Sequence, residues 1–253
     1  MNSFVIASIV LGSTFAAGLV GTALQVRLPE GHRDQRSREA IKLVMGLISA
    51  VAALVLSLLL ASASGSYERQ SNELRALSAN LLLLDQSLAL YGPDARSARD
   101  ELHDIAQQTH DRIWSRGTIR PEELDSTATR SASAASVTRI QSLSPKTDAE
   151  RTLKSRALQE AEVITGERLL MFEQLDSSFP WPLLTVLIFW LSMLFFGIGL
   201  LSRFNGTVGA SLFVGALSVT GAIFLILELG SPYGGVMRIS DQPLRNAINQ
   251  IDR

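Results

Sequence analysis

The chain of 253 residues contains no cysteine, which removes disulfides, thiolate nucleophiles and cysteine-held metals from consideration. Histidine is nearly as scarce, with three in all. His32 lies in a basic loop. His103 and His110 fall seven apart beside Asp100, Asp104 and Asp111. Two histidines on one helix face reach a shared ion at a spacing of four, so a spacing of seven reads as a solvated charged face, and neither a metal nor another cofactor is expected. Phosphate-cradling glycine loops, nucleophile elbows and zincin motifs are also missing, so the chain is not expected to be an enzyme. The formal net charge of −1 leaves no electrostatic case for nucleic acid as a partner.

Charge is absent in another, more informative way. Residues 1–26, 43–67, 177–202 and 204–227 contain no Asp, Glu, Lys, Arg or His. A bilayer-spanning helix takes about 20 predominantly apolar residues, and each window supplies them. Four transmembrane helices are expected at 4–25, 41–63, 182–202 and 206–228. The first window carries no Lys or Arg ahead of Arg27, and its apolar run exceeds the 7–15 residues of a signal-peptide core, so it reads as a retained helix. Arg27, Arg33, Arg36, Arg38 and Lys42 sit in the short loop between helices one and two, and Arg203 in the turn between three and four. Basic short loops stay cytoplasmic. That places residues 64–180 and both termini outside, in a bacterial inner membrane. Residues 64–180 hold 18 acidic and 14 basic residues, a balance compatible with translocation.

What lies between the apolar windows reads as helical. Leu74, Leu77, Leu81, Leu84, Leu88 and Tyr91 recur at alternating spacings of three and four, a heptad seam. Leu82, Leu83 and Leu90 widen it, so several helices are expected to pack around it. Gly92-Pro93 ends that helix and opens a second with Leu102, Ile105, Ala106, Thr109 and Ile113 on one face. Pro121, Glu122 and Glu123 mark a third start. Thr147 and Glu150 form a capping-box pattern for a fourth helix reaching about Asp176. The expected fold is all-α. Membrane helices one and two occupy 1–66, an antiparallel helical bundle 67–178, membrane helices three and four 179–229, and a folded-back tail 230–253.

The tail holds the most distinctive pattern. Glu228 ends the last apolar run, and a carboxylate there is costly unless paired or hydrated. Pro232, Tyr233, Gly235, Ile239, Ser240, Pro243, Leu244 and Arg245 follow. This succession resembles the signature of the bestrophin-like domain family, in which an acidic residue closing the last helix is followed by a Pro-aromatic-x-Gly element, a hydrophobic-Ser pair and Pro-Leu-Arg. The family commonly has Asp two residues after the Glu, where this chain has Gly230. The resemblance implies a two-plus-two arrangement of membrane helices and remote kinship to bestrophins, which are pentameric anion channels. Bestrophins keep the region between helices two and three in the cytosol, opposite to the charge pattern here.

Glu228 therefore has two readings. It lines an ion path, or it pairs with Arg238 or Arg245 as the tail folds back on turns fixed by Pro and Gly. In a formed pair, removing either partner strands a buried charge at a cost of about 3–5 kcal/mol. In helix two, Ser49, Ala53, Ser57 and Ala61 recur every four residues, and in helix four Ser211, Gly215, Ser218 and Ala222 recur similarly. Small faces let helices approach in lipid, with Ser49 and Ser57 lining a pore as the sharper alternative. Two functions fit. One is an oligomeric anion channel or transport protein. The other is a membrane-anchored structural or interaction module whose bundle binds a partner or further copies of itself. The expected partners are the lipid bilayer, other copies of the chain and small inorganic ions.

Overall fold

In the computed structural model, residues 3–27, 35–114, 127–175 and 180–251 are described. Within them every regular element is helical: α1 Ser3–Arg27, α2 Gln35–Tyr91, a 3₁₀ turn Pro93–Ala95, α3 Arg96–Trp114, α4 Thr127–Gln141, α5 Asp148–Leu175, α6 Trp181–Leu201, α7 Gly206–Leu229 and α8 Gln242–Ile251. Helices α1, α2, α6 and α7 are long and apolar enough to cross a membrane. The chain divides into two units, one of residues 1–66 and 178–230, the other of residues 67–177 and 231–253.

The first unit holds the apolar helices. Val10 of α1, Leu59 of α2, Leu184 and Leu187 of α6, and Ile223 and Ile226 of α7 form its main core. Helix α6 starts on proline, where a missing N–H is harmless. Helix α7 starts on Asn205, whose side chain accepts from the Val208 N–H at 2.7 Å. The closest packing joins α1 to α6. A Cβ on Gly21 would run into the Phe196 carbonyl oxygen, and one on Gly199 into the Gly18 carbonyl oxygen and to 2.9 Å from the Thr22 nitrogen. The backbones touch because neither residue has a side chain, which is how helices associate where apolar burial gives no advantage.

The second unit is built on the C-terminal part of α2. All six seam residues, Leu74 through Tyr91, are buried, together with Ala98, Leu102, Ala106 and Ile113 of α3. Leu82 is half-buried, but Leu83 and Leu90 are exposed, so the apolar stripe is narrower than the sequence suggests. Gly92 takes φ 110° to turn the chain into the 3₁₀ turn. The capping box opening α5 is formed: the Glu150 N–H donates to Thr147 Oγ1 at 3.1 Å, and the Thr147 N–H donates to Glu150 Oε2 at 3.3 Å. The expected helix start at Pro121 falls outside the described residues; α4 is described from Thr127.

Helix α2 also departs from expectation. It runs unbroken through Ser64-Gly65-Ser66, where the sequence suggests one helix giving way to another. A single interior glycine costs about 1 kcal/mol relative to alanine, too little to interrupt a helix anchored on both sides.

The glycine contact yields a first prediction. Gly199→Val should destabilise the detergent-solubilised protein by about 1–3 kcal/mol or more, read as a lower thermal midpoint. Gly12→Ala, where an added Cβ meets nothing within 4 Å, should leave the midpoint unchanged. Equal behaviour of the two variants would rule out the backbone contact.

Candidate functional site

The tail motif falls in both units. Glu228, in the last turn of α7, is 1% exposed and engaged within the protein. The Gly230 N–H closes the helix on the Ile226 carbonyl at 3.0 Å. From Ser231 onward the chain belongs to the second unit, where Arg238 and Arg245 also lie.

The next nine residues make a closed loop. The Gly234 N–H donates to the Ser231 carbonyl at 3.0 Å, and the Ile239 N–H donates to the Pro232 carbonyl at 2.8 Å. Gly235 takes φ 69°, a left-handed conformation that suits glycine. Tyr233 points into the core of the unit. Its ring meets Trp114 of α3 edge-on at 6.2 Å, and Trp114 stacks on His110 at 5.3 Å. The Trp114 indole N–H donates to the Ile239 carbonyl at 3.2 Å. Tyr67 Oη donates to the Arg238 carbonyl at 3.5 Å.

Helix α8 completes the tail. Ser240 Oγ accepts from the Gln242 N–H at 3.3 Å, a capping contact. Pro243 occupies the first turn, where it costs no hydrogen bond. Leu244, Ala247, Ile248 and Ile251 are buried. At the far end, Arg99 Nη2 donates to the Ile251 carbonyl at 3.3 Å while its fork grips Asp85 at 2.6 and 3.0 Å, a bidentate pair. The Asp85 carboxylate bond raises the already high pKa of Arg99. Arg245 lies 3.6 Å from Asp241.

His110 was not legible as a tail contact. Its Nε2 lies 3.1 Å from Asp241 Oδ2 and its Nδ1 3.1 Å from Asp111 Oδ1. Hydrogen bonding by His110, aided by Gln107, holds the Asp111 carboxyl below its usual range. His103, by contrast, sits at the surface beside Asp104. The face expected to be uniformly solvated thus carries one inserted ring. Its only sequence signal is the pairing of His110 with Trp114 four residues on.

Ser49 and Ser57 lie on the exposed surface of α2 as a single chain, and Ser57 Oγ donates to the Ala53 carbonyl at 2.8 Å. Among the described residues, no group of three His, Asp or Glu side chains is placed to hold a metal.

Each motif residue from Pro232 to Leu244 thus closes a turn, caps a helix or fills the core, and Arg245 lies exposed beside Asp241. Tyr233 tests this. Burial, with the Glu73 charge adding to it, pushes its phenol above the ordinary range, and its hydroxyl has no hydrogen-bond partner among the described residues. Removing a buried unsatisfied hydroxyl relieves about 1–3 kcal/mol, whereas truncating a buried aromatic costs about 3–5 kcal/mol. Tyr233→Phe should therefore match or exceed the parent in thermal midpoint, and Tyr233→Ala should fall well below it. A clear loss for Tyr233→Phe would show that the ring is held by its hydroxyl.

Comparison with known proteins agrees with this geometry. No curated protein sequence matches the chain. Solved structures do. A bacterial bestrophin homolog from Klebsiella pneumoniae superposes in two variant forms. One has a TM-score of 0.68 at 15% identity, covering 100% of this chain and 96% of that one. The other has 0.67 at 13%, covering 98% and 96%. A further structure, of a membrane protein, gives 0.61 at 15%, covering 96% of each chain. At these identities the likeness shows a shared fold. The bestrophin-like domain itself is matched over residues 12–244, nearly the whole chain, and the protein belongs to the bestrophin-like family.

Proposed function

We propose that this protein is an oligomeric membrane channel for small anions, with no catalytic activity. In this reading α1 and α2 cross the bilayer before the helical bundle and α6 and α7 cross after it, the two-plus-two arrangement, and copies assemble around α2. The observation that carries it is the bareness of α2. Only 11% of its most apolar stretch is buried, against 33% in each of the other three spanning helices. Leu47, Leu54 and Leu58 are exposed, and so is the small-residue row Ser49, Ala53, Ser57 and Ala61. Lipid covers leucines equally well, but a row of small residues lets a neighbouring helix come close. Closing such contacts by rotation gives a ring, with serine hydroxyls near its axis. Family membership and the fold shared with a bestrophin homolog support the same reading. Buried Glu228 then acts at the end of α7 either beside the ion path or as a charge partner of Arg238 or Arg245.

A second reading rests on the exposed Leu83 and Leu90 of the helical bundle. They suit a membrane-anchored module that meets a partner protein or another copy through that surface.

Oligomer mass and ion flux separate these readings. The protein in mild detergent should be a ring of five or more copies, and in liposomes it should pass chloride. Ser57→Trp should lower that flux at least tenfold, by filling the path or by parting the helices that pack on the small-residue row. A monomer or dimer without flux would overturn the channel and leave the anchored module.

We further propose, from the basic loop between α1 and α2, that the bundle faces the outside of a bacterial inner membrane. A cysteine placed at exposed Ser97 should then react with an impermeant maleimide in intact cells. Labelling only after lysis would put the bundle in the cytosol, as in bestrophins.

A further inference from the structure

The helical unit has a partly open cavity of about 50 Å³ that the channel reading does not use. Helices α2, α3, α4, α5 and α8 all contribute to its wall. Most of the lining is apolar, including Leu77, Leu81, Leu102 and Ile164, and among the described residues one, Arg168 of α5, is charged. Hydroxyls also reach it, but two have their protons committed elsewhere. Thr109 Oγ1 donates to the Ile105 carbonyl and Thr165 Oγ1 to the Ala161 carbonyl, both at 2.8 Å. Arg168 is thus the charged donor on this wall. Its Nε is cut off from solvent. The side chain engages other protein groups as well, but a guanidinium carries five N–H donors and can share them.

Size and charge narrow the ligand. One water takes up about 10–15 Å³ of such a cavity, so 50 Å³ holds about four heavy atoms, the hydrocarbon part of a small ligand, and its polar end can extend through the open side. An apolar chamber beside a guanidinium suits a molecule with a hydrocarbon body and an anionic end. Burial and the nearby positive charge of Arg112 both lower the Arg168 pKa.

We propose that this cavity binds a short-chain carboxylate of about three or four carbons, its hydrocarbon among the leucines and its carboxylate on Arg168. Leu244 of the tail motif lines the same cavity, so occupancy stabilises the docking of α8. The site binds only the form with α8 in place, and binding to one form shifts the population toward it.

The test uses the full chain in detergent with butyrate as the probe. Butyrate should raise the thermal midpoint saturably, with an affinity on the order of millimolar for so small a ligand. Amide hydrogen exchange over residues 244–251 should slow at the same concentrations. Butyramide, its neutral counterpart, should bind at least tenfold more weakly. Chloride at equal ionic strength should leave exchange unchanged. Arg168→Met should weaken butyrate at least tenfold. Ala161→Leu, which fills the chamber while keeping the charge, should abolish binding and decides the matter if Arg168→Met does not fold. Equal effects of chloride and butyrate, tighter binding of octanoate than butyrate, or butyrate binding that survives Ala161→Leu would each overturn the proposal. None of these outcomes depends on whether the protein conducts ions.

Discussion

Helix α2 meets two different solvation problems without changing its backbone geometry, and the rest of the fold answers them separately. From Leu43 to about residue 63 its sequence is apolar around most of the helix, as suits a segment whose surroundings are as apolar as its own side chains. From Leu74 onward only one stripe is apolar and the remaining faces are charged or polar, as suits a helix with water on one side and a core on the other. Burial of apolar surface drives assembly along the second part, where water must be excluded. It gives little along the first, where shape takes over. The two units accordingly show different chemistry at their closest contacts: glycine against carbonyl between α1 and α6, leucine against leucine around the seam.

This difference also explains what was legible beforehand. The four apolar helices were plain, because a run of 20 uncharged residues has few other uses in a chain of this size. The seam and the Thr147–Glu150 capping box were equally plain, since both depend on residues close together in sequence. Helix α8 was readable in principle from Leu244, Ala247, Ile248 and Ile251, but the glycines and prolines before it suggested turns to the end. The α1–α6 contact was not readable. Gly18, Gly21 and Gly199 look like any other glycines in apolar helices until a partner carbonyl stands where their Cβ would be. The place of His110 was hidden for the same reason, its partner Asp241 lying 131 residues away.

The family signature divides along a similar line. The motif residues Pro232, Tyr233, Gly235, Ile239, Ser240, Pro243 and Leu244 are accounted for by turns, caps and packing, so their recurrence identifies an architecture. Glu228 stands apart. Nothing about closing α7 requires a carboxylate, since the Gly230 N–H already satisfies the helix end. A buried acid in an otherwise apolar helix has a solvation cost, and Glu228 meets it through groups it engages within the protein.

The docking of α8 has a consequence for how the molecule is made. The core that Leu74 begins is completed by Leu244, Ile248 and Ile251 of α8. Between them in the chain come two apolar helices, α6 and α7, which enter the bilayer first. During synthesis the leucine seam therefore waits, with part of its surface uncovered, for more than 150 residues. Contacts this distant in sequence are slow to form, and exposed apolar surface during such a wait invites association with other chains. Closure of the helical unit thus waits until α6 and α7, which lie between the seam and α8 in the chain, have been made.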